Sequence, residues 1–236
     1  MWSSVFGLWS TVLELLMSGI LYVVSTPIGN LDDITLRAIE TLKTAGLIAA
    51  EDTRHTRILL DRYDIKAIVT SYFEYNKIQK TEYLIKVLKE GKSVALVSDA
   101  GTPGISDPGY KIIRACIDNN IPVVPIPGPS GIVTALTISG KPTDKFTFEG
   151  FLSNKGQKRQ NQLKKLKDEG RTIVLYESPH RILKLLEDIL GVYGDVEIAL
   201  ARELTKKFEE VRREKVSDAI AHFTTHPPKG EFIVIV

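Results

Sequence analysis

Residues 93–98 read Ser-Val-Ala-Leu-Val-Ser and run directly into Asp99-Ala-Gly-Thr-Pro-Gly-Ile-Ser-Asp-Pro-Gly109. A short apolar run bounded by turn residues predicts a buried strand. The three glycines and two prolines behind it end that strand, and a helical pattern over 111–119 follows. In open α/β sheets, ligands bind beyond the carboxyl ends of the strands, so this loop stands where a site is expected. Its glycines let the backbone approach a ligand closely. Free backbone N–H groups suit a carboxylate, and Asp99 or Asp107 suits an ammonium; a zwitterionic amino acid needs both. The plainer reading is a Pro/Gly loop whose aspartates cap turns. Two aspartates in so apolar-flanked a loop favour the ligand.

Outward from this segment, strands are predicted over 21–25, 47–50, 122–125, 172–176, 196–200 and 232–236. Helical patterns fall over 77–90, 156–168, 179–190 and 217–223, and Asp33 or Thr35 suits the cap of a helix carrying Leu36, Ile39 and Leu42. Such alternation predicts an α/β fold with largely parallel or mixed sheets. Pro125, Pro127, Gly128 and Pro129 precede a further helix, and Ser139-Gly140-Lys141-Pro142 follows it. A boundary there gives two α/β domains, over 18–135 and 136–236, with a ligand cleft expected between them. Residues 1–17 are read as a non-core extension, with Met17 the natural start and an amphipathic surface helix the alternative. They lack the basic n-region and cleavage site of a signal peptide. Ser3, Ser4, Ser10, Thr11 and Glu14 interrupt them too often for a membrane span.

The 236 residues carry 31 Lys plus Arg against 29 Asp plus Glu, so any polyanion must be met by a local patch. Cys116 is the single cysteine, which excludes an intramolecular disulfide and a Cys-rich zinc cluster. With four His and no HExxH, no dedicated metal site is expected, and the composition is that of a soluble, cytoplasmic chain. Two further loops follow predicted strands. In the loop over 125–131, Ser130 can cap the next helix and Gly131 leaves room for a planar ring, a plain rigid turn being the equal alternative. The loop over 25–31 contains neither GxGxxG nor GxxxxGK[ST].

Together these strings resemble the ribosomal RNA small-subunit methyltransferase I family, a branch of the tetrapyrrole methylase superfamily. The matching segments are VSTPIGNLDDIT at 24–35, AEDTRHT at 50–56, LVSDAGTPGISDPGY at 96–110 and PIPGPSG at 125–131. FEGFL at 148–152, VLYESPHRI at 174–182 and ARELTKKFEE at 201–210 complete the series. The resemblance implies two α/β domains of tetrapyrrole-methylase type with an S-adenosylmethionine cleft between them, and a homodimer. It also implies methyl transfer to the 2′-hydroxyl of a cytidine in the decoding region of 16S rRNA in the small ribosomal subunit. Carried over, the cofactor positions are Leu31, Ser98, Asp99, Ala100, Gly101, Thr102, Ile105, Ser130 and Gly131, then Tyr176, Ala201 and Gly230. Asp99 is the candidate for the methionine end. Where the family more often reads GPSA, this chain has Gly131, a change the site is expected to tolerate. Family members commonly continue for several tens of residues past the GEFIVIV strand. Were that tail to hold RNA, this chain would bind cofactor yet methylate poorly.

A ribose hydroxyl is a weak nucleophile that a neighbouring base would help. The candidates are Asp52, His55, Glu177, His180 and Glu203, the carboxylates having as alternative an ion pair with Arg54, Arg181 or Arg202. RNA is gripped through phosphates by Lys and Arg. Residues 154–171 carry seven basic residues against two acidic ones, among them Lys155, Lys158 and Arg159; a solvated helix face is the alternative, and the position after FEGFL in the resembled family favours RNA. Arg54, Arg57, Arg181, Arg202, Lys206 and Lys207 are further candidates, and Phe73 and Tyr75 could stack on an unstacked base. The rival readings are a small-molecule methyltransferase of the same superfamily and an RNA-binding module with a vestigial cofactor cleft.

Overall fold

The structure, a computed structural model, describes residues 18–75 and 77–236, so the extension over 1–17 lies outside the described residues. The chain divides into two compact units, one ending at Ser130 and the other covering Gly131–Val236.

The first unit is built on β1 (Leu21–Val24), β2 (Leu47–Ala50), β3 (Val69–Ser71), β4 (Val94–Val97) and β5 (Val123–Ile126). They form a sheet in the order β3-β2-β4-β1-β5 with every neighbouring pair parallel. Parallel sheets are covered on both faces, which is why β2 and β4 are apolar at every position and buried throughout. Successive residues point to opposite faces. Ile48, Ala50, Ala95 and Val97 join one core cluster with α1 (Leu36–Thr44) and α2 (Thr53–Arg62). Leu47, Ala49, Val94 and Leu96 join the other with α3 (Lys77–Lys89) and α4 (Tyr110–Asp118). Thr35 caps α1 by accepting from Ala38 N–H at 3.1 Å, and Asp52 caps α2 by accepting from Arg54 N–H at 2.8 Å.

The second unit runs α5 (Gly131–Thr137), β6 (Phe146–Phe151), α6 (Gly156–Asp168), β7 (Thr172–Glu177), α7 (Ile182–Tyr193), β8 (Glu197–Arg202), β9 (Glu210–Lys215), α8 (Val216–Thr225) and β10 (Phe232–Ile235). Its sheet has the order β6-β7-β10-β8-β9; only β6 and β7 pair in parallel. Leu163, Leu166, Leu185, Leu186, Ile189, Ala219 and Phe223 cover one face over Ile173, Leu175, Ile198, Leu200 and Val234.

The strands that sequence reading passed over, β3, β6 and β9, all lie at sheet edges. An edge strand has one neighbour and tolerates charge, so β9 reads Glu-Val-Arg-Arg-Glu-Lys and shows no apolar run. Helix α2 was masked in the same way by Arg54, His55 and Arg57. Only Thr56, Leu59 and Leu60, spaced three and four apart, turn inward. Among the described residues no helix is long and apolar enough to cross a membrane.

Candidate functional site

In the first unit, the loops leaving β1 and β4 are stitched together. Thr26 N–H donates to the Gly101 carbonyl at 2.8 Å, and Gly101 N–H donates back to the Thr26 carbonyl at 3.0 Å. The Thr26 hydroxyl donates to the Ser98 carbonyl at 3.1 Å, and the Ser25 and Thr102 hydroxyls lie 2.8 Å apart. This bridge needs Gly101 in the left-handed region, at φ +77°. The loop after β5 closes on the same place: a Cβ on Gly128 would stand 3.1 Å from that of Ser25. Ser98, Gly101 and Thr102 are thereby gathered at the carboxyl end of the sheet. Ala100 and Ile105 stand exposed on the same loop.

Asp99 is half-buried, and its Oδ1 accepts from Asp52 N–H at 3.0 Å. In return, Asp99 N–H donates to Glu51 Oε2 at 3.4 Å. Burial, reinforced by the nearby charges of Asp99 and Asp52, lifts the Glu51 carboxyl above its ordinary range against the pull of that N–H. Sequence reading had passed over Glu51 as a site residue, although it stands inside the AEDTRHT string. Leu31 opens a short 3-10 turn, and its carbonyl accepts from the Tyr63 hydroxyl at 2.8 Å.

A cleft lies between these loops and α2. Pro27, Leu31, Ile58 and Leu59 give it apolar walls, and Thr26, His55, Ser98 and Asp99 supply its polar groups. Its cavity volume is about 50 Å³, and its mouth is open to solvent. Ile58 and Leu59 had no place in the sequence reading of a site, because the cleft exists only once α2 packs beside the strand ends.

In the second unit, Ile233 of β10 is the hub. It pairs with Tyr176 on β7 and Ala201 on β8. A Cβ added to Gly131 would meet Ile233 Cδ1 at 3.1 Å and the Tyr176 hydroxyl at 3.5 Å. Gly131, Tyr176 and Ala201 are therefore gathered around one side chain. Phe148 and Phe151 pack edge-on against the Tyr176 ring, at 4.9 and 5.8 Å between centroids. Gly230, at φ +80°, abuts Glu203 instead.

The carboxylates proposed as bases are occupied. Hydrogen bonds from Arg54 hold Asp52 down to about 2, with the cap bond adding to them. Glu177 is buried; burial raises its carboxyl despite Ser178 N–H and Arg181, and its Oε2 meets no partner among the described residues. Glu203 pairs with Lys206 at 2.9 Å, not with Arg202, and accepts from Glu231 N–H at 2.9 Å. Its burial would raise the carboxyl, but Glu231 N–H and Lys206 outweigh it and hold the group low. His55 lines the cleft of the first unit, and His180 is exposed on the turn before α7.

The basic residues divide sharply. Arg57, Lys155, Lys158, Lys164 and Lys165 are exposed, and Arg54, also exposed, pairs with Asp52 at 2.7 Å. Arg159, expected on an RNA-facing surface, is instead 5% exposed and bound to Asp188 at 2.5 Å. Its position on the inner face of α6 withdraws it from any phosphate. Arg181 pairs with Glu177 at 3.2 Å and donates to the Leu152 carbonyl at 2.6 Å. Arg202 pairs with Glu210 at 2.9 Å, and Lys206 bridges Glu203 and Glu231. Phe73 and Tyr75 are exposed.

A family model described as Tetrapyrrole (Corrin/Porphyrin) Methylases matches residues 20–220. The chain is 52% identical over 219 residues to the ribosomal RNA small subunit methyltransferase I of Synechocystis sp., covering 92% of this chain and 78% of that one. It is 50% identical to the protein of the same name from Thermotoga maritima, over 92% and 98% of the two. To the one from Escherichia coli O157:H7 it is 48% identical, over 92% and 77%. Among solved structures, a cobalt precorrin-4 methyltransferase superposes with a TM-score of 0.69 at 18% identity, over 92% of this chain and 94% of that one. A uroporphyrin-III-C-methyltransferase from Thermus thermophilus gives 0.64 at 22%, over the same shares. At those identities the likeness establishes the fold.

Proposed function

The chain belongs to the ribosomal RNA small subunit methyltransferase I family of the tetrapyrrole methylases, and from that premise we propose that it methylates the ribose 2′-hydroxyl of a cytidine in 16S rRNA. The observation that carries this reading is the identity of about half of all residues with those relatives over nine-tenths of the chain. We place the reaction in the decoding region of the small ribosomal subunit, in the cytoplasm, with the enzyme a homodimer.

The methyl donor is S-adenosylmethionine, which supplies an electrophilic methyl on a sulfonium whose charge disappears on transfer. The residues present fit such a donor. Asp99 offers a carboxylate to an ammonium at the carboxyl end of β4, and the Thr26–Gly101 bridge sets backbone beside it. Gly131 leaves, beside Tyr176 and Ile233, a space that a Cβ would fill. In the first unit, Leu31, Ser98, Asp99, Ala100, Gly101, Thr102, Ile105 and Ser130 are the proposed contacts; in the second, Gly131, Tyr176, Ala201 and Gly230. The protein's task is to orient reactants rather than to stabilise charge, because the reaction discharges a cation. The exposed Lys155, Lys158, Lys164 and Lys165 are the proposed grip on RNA phosphates.

The test is tritiated methyl transfer from S-adenosylmethionine to free small-subunit RNA and to small subunits lacking the modification. Label recovered in 2′-O-methylcytidine is the expected result. Label in neither RNA form, with cofactor binding intact, would refute the RNA substrate.

A further inference from the structure

We propose that the cleft between the β1 loop, Asp99 and α2 seats the acceptor nucleoside, with His55 taking the proton of the methylated hydroxyl; this rests on the reading of the chain as an RNA methyltransferase. The cleft has the character of a nucleoside site. Pro27, Leu31 and Ile58 offer apolar walls to a flat ring, and the Thr26 hydroxyl and Ser98 stand among its polar groups. Its cavity volume of about 50 Å³ makes it a seat for the face or edge of a ring, with the rest of the nucleoside lying in the open mouth. Ile58 is 58% exposed, an apolar side chain left uncovered at the wall of a cleft.

Position separates this cleft from the donor's loop while keeping it adjacent. Asp99, Ser98 and Leu31 belong to both, but Ala100, Gly101, Thr102 and Ile105 do not line the cleft. Gly101 faces Ile28 and the Pro129 carbonyl instead. An acceptor must lie against the donor in near-attack geometry, and a cleft sharing one wall with the donor's residues meets that need.

The base follows from the same geometry. Of Asp52, His55, Glu177, His180 and Glu203, His55 is the one that lines the cleft. Asp52 is engaged by Arg54 and the α2 cap, Glu177 is buried under Arg181, and Glu203 is held by Lys206. An unprotonated imidazole nitrogen accepts the hydroxyl proton as the new O–CH₃ bond forms and the S–CH₃ bond breaks. The electron pair of that broken bond returns to sulfur, leaving a neutral thioether and a protonated imidazole.

The experiment uses Ile58→Trp, which fills the cleft from an exposed position, and His55→Gln, with melting temperatures confirming both folds. Three quantities are read: S-adenosylmethionine affinity by calorimetry, contacts to cytidine 5′-monophosphate by saturation-transfer NMR, and steady-state methylation of small subunits. Ile58→Trp should abolish the nucleotide contacts and raise KM about tenfold or more with donor affinity unchanged. His55→Gln should lower kcat on the order of 100-fold while both affinities stay. Loss of donor affinity in Ile58→Trp would assign the cleft to the donor and overturn the proposal, as would unchanged kinetics in both variants. Should the wild-type chain methylate no RNA, the functional reading fails and the NMR still decides. Nucleotide contacts removed by Ile58→Trp support the cleft; absent or unaltered contacts overturn it.

Discussion

Asp52 N–H donates to Asp99 Oδ1 at 3.0 Å, joining the residue that caps α2 to the loop that follows β4. The two residues sit at the ends of adjacent parallel strands, since β2 pairs with β4. The bond fixes the Asp99 carboxylate before any ligand arrives. One oxygen thereby serves the scaffold, while the charge is left for the ammonium proposed above.

That division makes Asp99→Asn and Asp99→Ala informative together. The amide of Asn keeps an acceptor for Asp52 N–H and loses the charge. Hydrogen bonds to charged groups contribute about 1.5–3 kcal/mol, so both variants should bind S-adenosylmethionine roughly 10- to 100-fold more weakly by calorimetry. Asp99→Ala alone should also lower the melting temperature. Unaltered affinity in Asp99→Asn would remove Asp99 from the donor site.

Two glycines should respond oppositely to alanine. At Gly131 the new methyl meets Ile233 Cδ1 at 3.1 Å, and that mobile chain end can withdraw by a few tenths of an ångström. Gly131→Ala should therefore fold with a melting temperature close to wild type. At Gly230 the backbone sits at φ +80° and a Cβ would fall 2.6 Å from Glu203 Cδ. Left-handed backbone alone costs a non-glycine residue roughly 1–2 kcal/mol. Gly230→Ala should destabilise by more than that, because Glu203 must also leave Glu231 N–H.

Arg159 and its lysine neighbours should separate stability from RNA affinity. Removing one partner of a buried ion pair costs about 3–5 kcal/mol. Arg159→Met, which leaves the Asp188 charge with only the neutral Gln160 amide as partner, should lower the melting temperature by about 10 °C or more. Replacing Lys155, Lys158 and Lys165 by Ala should leave the melting temperature alone. It should weaken small-subunit binding and flatten its dependence on salt. A stable Arg159→Met protein with weakened RNA binding would reverse this assignment.

Glu177 gives a pH dependence of definite sign. Burial raises its carboxyl above the ordinary value of 4.5, so the folded protein holds that proton to higher pH than the unfolded chain. Its contribution to stability is complete below 4.5 and is lost as pH rises through the raised value. Glu177→Gln cannot ionise. The melting temperature of the variant minus that of wild type should therefore climb with pH from 4.5 upward. A difference that stays level across that range would contradict the assignment.

The fold was legible where burial leaves a local signature. Strands β2 and β4 are apolar at every position because both faces of their sheet are covered, and their boundaries follow from that run. The loop after β4 was legible for the complementary reason, since Gly and Pro mark where the backbone must turn. Edge strand β9 and helix α2 were hidden because solvent on one side permits charges that mask the period.

The sequence by itself determined the strand–helix alternation, the glycine loops behind β1, β4 and β5, and the strings that place the chain in its family. Each is a property of neighbouring residues, written in burial period, turn chemistry and order along the chain. Only the tertiary structure decided that Arg159 is a core residue bound to Asp188, 29 positions away, and that Asp99 is held by Asp52, 47 positions away. It alone brought His55, Ile58 and Leu31 to the lining of one cleft. A charged side chain looks the same in sequence whether it meets water or a partner. Which it meets depends on contacts between distant segments, and folding makes that choice.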